Sequence, residues 1–310
     1  MAIAGARYAF QTVQPGSPML RVRYRHGVPV DPYGFPEWTG YAWVVVELPP
    51  TDPALGVDEA RVLDVLTAGA AAGVPDGGPD GWAWAHVARS RRLALVPAEL
   101  HGSFRHLGGV STGTADRTRR GLAVEGTEPP PIQLTGRLTD EALAAVEERL
   151  GFALPPAYRD FLARTNGGRP AWPAVHPRFG FLVDQPFFGA ARPDRLFDLV
   201  YANAWFGDRL TAGWLAAGYV QGGLIVVRVD GDDRGSVWFY DDDDPRDQDG
   251  YGAVEVCGRL LHRCADDFAT FWRELRQVPA SLRERARAAA ARTVDGERSG
   301  WALPPARLRS

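Results

Sequence analysis

The chain has 310 residues, enough for two domains of ordinary size, with 45% hydrophobic and 24% charged residues, as in soluble globular proteins. No apolar run approaches the roughly 20 residues of a membrane helix, and the opening MAIAGARYAF lacks a basic start followed by an apolar core, so a cytoplasmic protein is expected. The net charge of −3 is uneven: −1 over residues 1–130, −7 over 131–274 and +5 over 275–310, and an acidic middle is unsuited to gripping nucleic acid but suited to meeting a basic protein.

All 35 basic residues are Arg, which with heavy Ala, Gly and Pro usage matches a GC-rich coding genome. Cys257 and Cys264 have neither metal-type spacing nor a disulfide framework and read as small buried hydrophobes.

In chain order, Leu20–Arg25 (LRVRYR) alternates apolar and basic residues and predicts a strand, as does Tyr41–Pro49 (YAWVVVELP). Val57–Gly73 places Val62, Leu63 and Leu66 at helical spacing and ends in Gly. The turn-rich Gly73–Gly81 leads into Trp84–His106, which holds three of the six histidines: His86, His101 and His106. Gly126–Gln133 (GTEPPPIQ) has three prolines and no periodicity, and marks the expected boundary between a domain at 1–130 and one at 131–278.

Beyond it, Thr139 can cap a helix with Asp140 and Glu141 in its first turn, and Leu143, Val146 and Leu150 share one face up to Gly151. A second helix starts after Pro155, buries Tyr158, Phe161 and Leu162, and ends at Asn166-Gly167-Gly168. Gly222–Tyr240 reads as a hairpin around an Asp/Gly turn, and Phe268, Phe271, Trp272 and Leu275 share a helical face. After Pro279, residues 279–310 read as an Ala/Arg helix with a thin apolar face, followed by a tail.

The text LTDEALAAVEERLGFALPPAYRDFLARTNGG, with the later GYVQGGLIVVRV, GSVWFYDDDD and FATFWREL, resembles the SUKH superfamily, the Smi/Knr-like fold, over about 138–276. The resemblance implies an α+β domain with a mixed sheet wrapped by helices. It also implies a protein-binding role, since many bacterial members look like immunity proteins that neutralise toxin nucleases. This region offers no catalytic triad and no phosphate loop. Its one functional candidate is the acidic run Asp241, Asp242, Asp243 and Asp244 with Asp247 and Asp249. That run is either a solvated turn or an acidic surface that imitates phosphate and draws a basic nuclease face; the register of a calcium loop is absent.

The histidine stretch carries Trp84-Ala85-His86, then Leu95-Val96-Pro97, Leu100-His101 and His106-Leu107-Gly108-Gly109. It resembles the WHH-type HNH/endonuclease VII-like toxin nucleases, and Val28–Trp38 (VPVDPYGFPEW) is similar to a segment that precedes this motif. The resemblance covers about 20–112 and implies a ββα-metal fold. It makes His86 a general base, His106 a metal ligand and His101 an orienting residue or further ligand. Ala85 stands in place of the other histidine, and a methyl group ligates no metal; Arg89 stands where the pattern more often has an acid. On a regular helix His101 and His106 would lie roughly 140° apart, so both face one ion only if the helix ends before Gly108. Arg89, Arg91, Arg92 and Arg105 form a local basic patch, although residues 1–130 have no basic excess.

The leading expectation is an immunity-like binding factor whose nuclease-like domain is degenerate, needs no cofactor, and meets a toxin nuclease or other basic protein rather than nucleic acid or membrane. The alternative is a divalent-metal-dependent HNH nuclease fused to its own SUKH domain. Histidines scattered by chance are a further possibility.

Overall fold

A computed structural model describes residues 11–74, 77–109, 121–244, 246–247 and 250–293. The N-terminal half runs β1 (Gln11–Val13), α1 (Pro18–Arg23), β2 (Val28–Val30), β3 (Val44–Glu47), α2 (Val57–Ala72), β4 (Trp82–His86), β5 (Arg92–Pro97) and α3 (Ala98–Gly102). The C-terminal half opens with β6 (Ile132–Gln133), α4 (Asp140–Leu150), α5 (Pro156–Thr165), β7 (Arg169–Pro170), β8 (Ala174–Val175), β9 (Leu182–Val183) and α6 (Leu199–Ala202). It continues with β10 (Trp214–Val220), β11 (Gly223–Arg228), β12 (Val237–Asp241), α7 (Ala253–Arg259), β13 (Leu261–Ala265), α8 (Phe268–Glu274), β14 (Arg276–Gln277) and α9 (Ala280–Ala290). No described helix is long and apolar enough to cross a membrane.

The strand expected at Leu20–Arg25 is instead α1. Pro18 at its first position presets the helical φ, and Leu20 and Tyr24, four apart, are both buried, whereas Val22 is 78% exposed. A period-2 strand would have buried all three. The other expected elements form: α2 ends at Gly73 with φ 72°, and the Thr139 side chain accepts a hydrogen bond from the Ala142 N–H at 3.2 Å to start α4.

In the N-terminal half a three-stranded antiparallel sheet, order β3-β5-β4, backs onto α2, and β4, β5 and α3 follow in strand–strand–helix order. In the C-terminal half the main sheet is β10-β11-β12-β13. Every strand pairing there is antiparallel, where the resemblance implies a mixed sheet; the one parallel register among the described residues is an isolated bridge between Gly189 and Asp198. Strand β10 joins β11 through a tight turn and β11 joins β12 through a short loop, as antiparallel neighbours can, whereas β12 reaches β13 through a longer connection that carries α7 and still returns antiparallel.

The two halves share their cores. One cluster joins Tyr24, Trp38, Ala85 and Phe104 to Phe187, Tyr219, Val226 and Phe271; a second joins Val62, Leu66 and Leu93 to Leu182 and Leu282. Polar contacts stitch the same seam: the Gln221 side chain accepts from the Trp84 N–H at 3.0 Å and donates to Asp184 at 2.7 Å, and Asp184 accepts from the Gly78 N–H at 2.8 Å. The Ala/Arg helix α9 packs along α2, burying Leu282, Ala286 and Ala289, and Arg285 pairs with Glu59 at 2.6 Å.

Candidate functional site

The histidines converge where β4 ends. His86 is its last residue, His101 projects from α3, and His106 lies in the loop beyond. Because α3 stops at Gly102, the angular objection from a regular helix does not arise: the rings of His101 and His106 meet edge to face at 4.7 Å between centroids. Trp38, from the segment before β3, packs on both, at 5.1 Å from His101 and 5.0 Å from His106. Burial pushes both imidazoles down to about 4, so both are neutral at pH 7. The His106 Nδ1 lies 3.1 Å from the Phe104 carbonyl oxygen, a contact made when that nitrogen carries the proton.

Ala85 is buried beside them in the shared core, and its methyl group lines the same small cavity, of about 20 Å³, that His86, His101 and His106 line. Among the described residues no three His, Cys, Asp or Glu side chains are arranged to hold a metal ion.

Two residues of α2 that the sequence reading missed complete the cleft. Asp64 faces His86, Oδ2 to Nε2 at 3.4 Å, and receives both terminal nitrogens of Arg91 at 2.6 and 2.9 Å. Burial pushes the Asp64 carboxyl up, but the hydrogen bonds from His86 and Arg91 outweigh it and hold its pKa below the usual carboxylate value. An acid orienting a histidine through one nitrogen is the arrangement by which a general base is held. Arg61, one turn earlier, points into the cavity with a side chain only 5% exposed.

The acidic run was expected as a solvated turn or an outward steering face, and its placement overturns both. It folds inward, onto the histidine cleft. Asp241 accepts from Arg61 at 3.0 Å, Asp243 lies 3.4 Å from the same guanidinium, and Asp242 lies 3.7 Å from His101 Nδ1. Asp244 pairs with Arg246 at 2.6 Å and His262 at 2.9 Å, and Asp247 lies 3.4 Å from Arg105. Asp249 lies outside the described residues. Burial pushes the Asp242 carboxyl up, with His106 and Arg209 opposing it; burial also pushes the Asp244 carboxyl up, but His262 and Arg246 outweigh it and hold the group well below the usual range. The physical reason for the inward turn is Arg61, a buried cation that needs a counter-charge.

Two glycines make the fit possible. A Cβ on Gly108 would sit 1.7 Å from an Asp243 carboxylate oxygen, and one on Gly222, whose φ is +99°, would sit 3.1 Å from Arg61 Nη1.

The expected basic patch disperses. Arg89 stacks on Tyr33 at 4.2 Å and pairs with Asp31, Arg91 turns to Asp64, and Arg105 is buried with its Nη1 donating to the Tyr251 carbonyl oxygen at 2.5 Å.

Residues 137–274 match the model of the SMI1/KNR4 family (SUKH-1), and residues 76–116 match that of a nuclease of the HNH/ENDO VII superfamily with conserved WHH. No curated protein matches the chain.

Proposed function

We propose that this chain is a non-catalytic, cytoplasmic protein-binding factor of the toxin–immunity kind, in which the SUKH unit keeps a degenerate nuclease-like unit closed. The observation that carries the reading is the acidic turn Asp241–Asp243 seated on Arg61 and His101, where a nuclease would admit the phosphates of its substrate. Carboxylates and phosphates present the same charge to a guanidinium, so the turn and a nucleic acid compete for one place. Ala85 adds the chemical reason: a metal-assisted attack on phosphate needs a ligand where this cleft has a methyl group. The partner of such a factor is a toxin nuclease.

The second reading, a metal-dependent nuclease restrained by its own SUKH unit, draws on the intact Arg91–Asp64–His86 chain, which is the orientation a general base uses. One experiment separates them. Purified chain is incubated with DNA and with RNA in the presence of magnesium, nickel or zinc, beside a calorimetric titration of each metal. The first reading expects no cleavage and no stoichiometric metal binding. Cleavage that His86→Ala abolishes would refute it and establish the second.

A further inference from the structure

With the acidic turn engaged inside the molecule, a partner must be met elsewhere. Two open cavities, of about 560 and 520 Å³, share Leu134 and have no lining residue in common with the histidine cleft. Leu134 lines both and is 52% exposed, a large apolar side chain left in water. Under it run the faces of Phe161, Phe268 and Trp272, from α5 and α8. Leu134 follows directly on β6, which pairs with β7 on one side and with no strand on the other among the described residues. An unpaired edge beside an apolar trough is the geometry that accepts an added strand.

The rim fixes the sign of what is added. Among the described residues Arg137 makes no hydrogen bond or ion pair, and Arg273 bonds only to the Ala269 carbonyl oxygen and the Thr270 hydroxyl, without a carboxylate. At the other end the charges balance: Arg192 donates to the Asn166 carbonyl oxygen and feels the carboxylates of Asp194 and Asp80, and Arg169 pairs with Asp80. Only Arg164 in the first cavity is neutralised, by Asp160. Apolar floor, open edge and two cations without a carboxylate at one end describe one kind of guest.

We infer that the trough over β6 docks an extended segment of a partner protein in which acidic and apolar residues alternate. Its apolar side chains cover Leu134, Phe161 and Trp272, and its carboxylates meet Arg137 and Arg273. This surface carries the opposite charge preference from the one the acidic composition of residues 131–274 suggests. It extends the binding reading but does not depend on the histidine cleft, so the nuclease assay bears on that cleft alone.

The test uses the full chain and a fluorescein-labelled nine-residue peptide alternating glutamate with leucine or valine, followed by fluorescence anisotropy. A control peptide carries lysine at every glutamate position. Saturable binding of the acidic peptide is expected, with none for the lysine peptide. Leu134→Asp weakens it at least tenfold and Arg137→Glu at least fivefold. Both side chains are exposed, so unchanged thermal melting confirms that the variants are folded. No saturable binding, equal binding of both peptides, or indifference to the two substitutions overturns the proposal. Sedimentation that shows a dimer dissolved by Leu134→Asp assigns the trough to a second copy of the chain and overturns it too.

Discussion

Removing the counter-charge of Arg61 gives a measurable test of whether the acidic turn anchors the two halves. Asp241→Asn keeps the side-chain volume and leaves the guanidinium with Asp243, 3.4 Å away, as its remaining anion. Both partners are almost fully buried, at 5% and 0% side-chain exposure, so breaking the pair leaves a charge without solvent and costs about 3–5 kcal/mol. Asp243 retains part of the attraction, which places Asp241→Asn near the lower end, about 3 kcal/mol. Arg61→Leu strands two carboxylates together and falls near the upper end, about 5 kcal/mol. Among the described residues the Nε and Nη1 atoms of Arg61 have no hydrogen-bond partner, so the native pair itself is incompletely compensated. The double variant should therefore recover much of the loss, with a coupling energy of at least ~2 kcal/mol in a double-mutant cycle. Urea unfolding followed by tryptophan fluorescence measures it. Additive single losses, with coupling below ~0.5 kcal/mol, would refute the claim that this contact ties the turn to α2.

Two further outcomes are expected. His101, His106 and His176 are each pushed by burial to about 4, below the ordinary histidine value, so the unfolded chain takes up protons that the fold refuses and stability falls as pH drops from 6.5 towards 4. Asp184, raised by burial to about 6, opposes them, since its fold-favoured form is the protonated one and its contribution falls as pH rises through the same window. Three histidines against one carboxylate leave a net uptake of about two protons, or a slope of roughly 2.7 kcal/mol per pH unit at its steepest; urea midpoints between pH 7 and 5 that do not move would contradict it. Gly108→Ala, which drives a methyl group to 1.7 Å from Asp243, should cost about 1–3 kcal/mol, whereas Gly258→Ala, with nothing within 4 Å on the exposed face of α7, should gain about 0.5–1 kcal/mol; equal thermal melting of the two variants would deny the close approach.

The helices were legible where caps and spacing agreed. Thr139, Gly151 and Asn166-Gly167 bracket α4 and α5 because each satisfies a backbone requirement that no distant contact alters. Leu20–Arg25 was not, since a six-residue helix leaves too few positions to tell a period of 3.6 from one of 2. The histidines were found from spacing, yet their meeting depends on α3 stopping at Gly102, with no glycine-proline signal stronger than its surroundings. The acidic run showed its charge but not its destination, because Arg61 lies 180 residues upstream of Asp241. One clue was available: Arg61 and Asp64 interrupt the apolar face of Val62, Val65 and Leu66, and charges on such a face point to a buried partner.

The lid that α9 forms over α2 has a temporal consequence. Helix α2 ends at Ala72, and the residues that cover it begin at Ala280, 208 positions later. At a synthesis rate of about 5–20 residues per second, the apolar flank of α2 waits roughly 10–40 s on a ribosome before Leu282 and Ala286 arrive. The acidic turn reaches the histidine cleft earlier in that interval, but the two core clusters are not filled until Leu275 and Ala286 have been made. Truncations before Pro279 should therefore gather with chaperones or aggregate rather than accumulate as a free N-terminal unit.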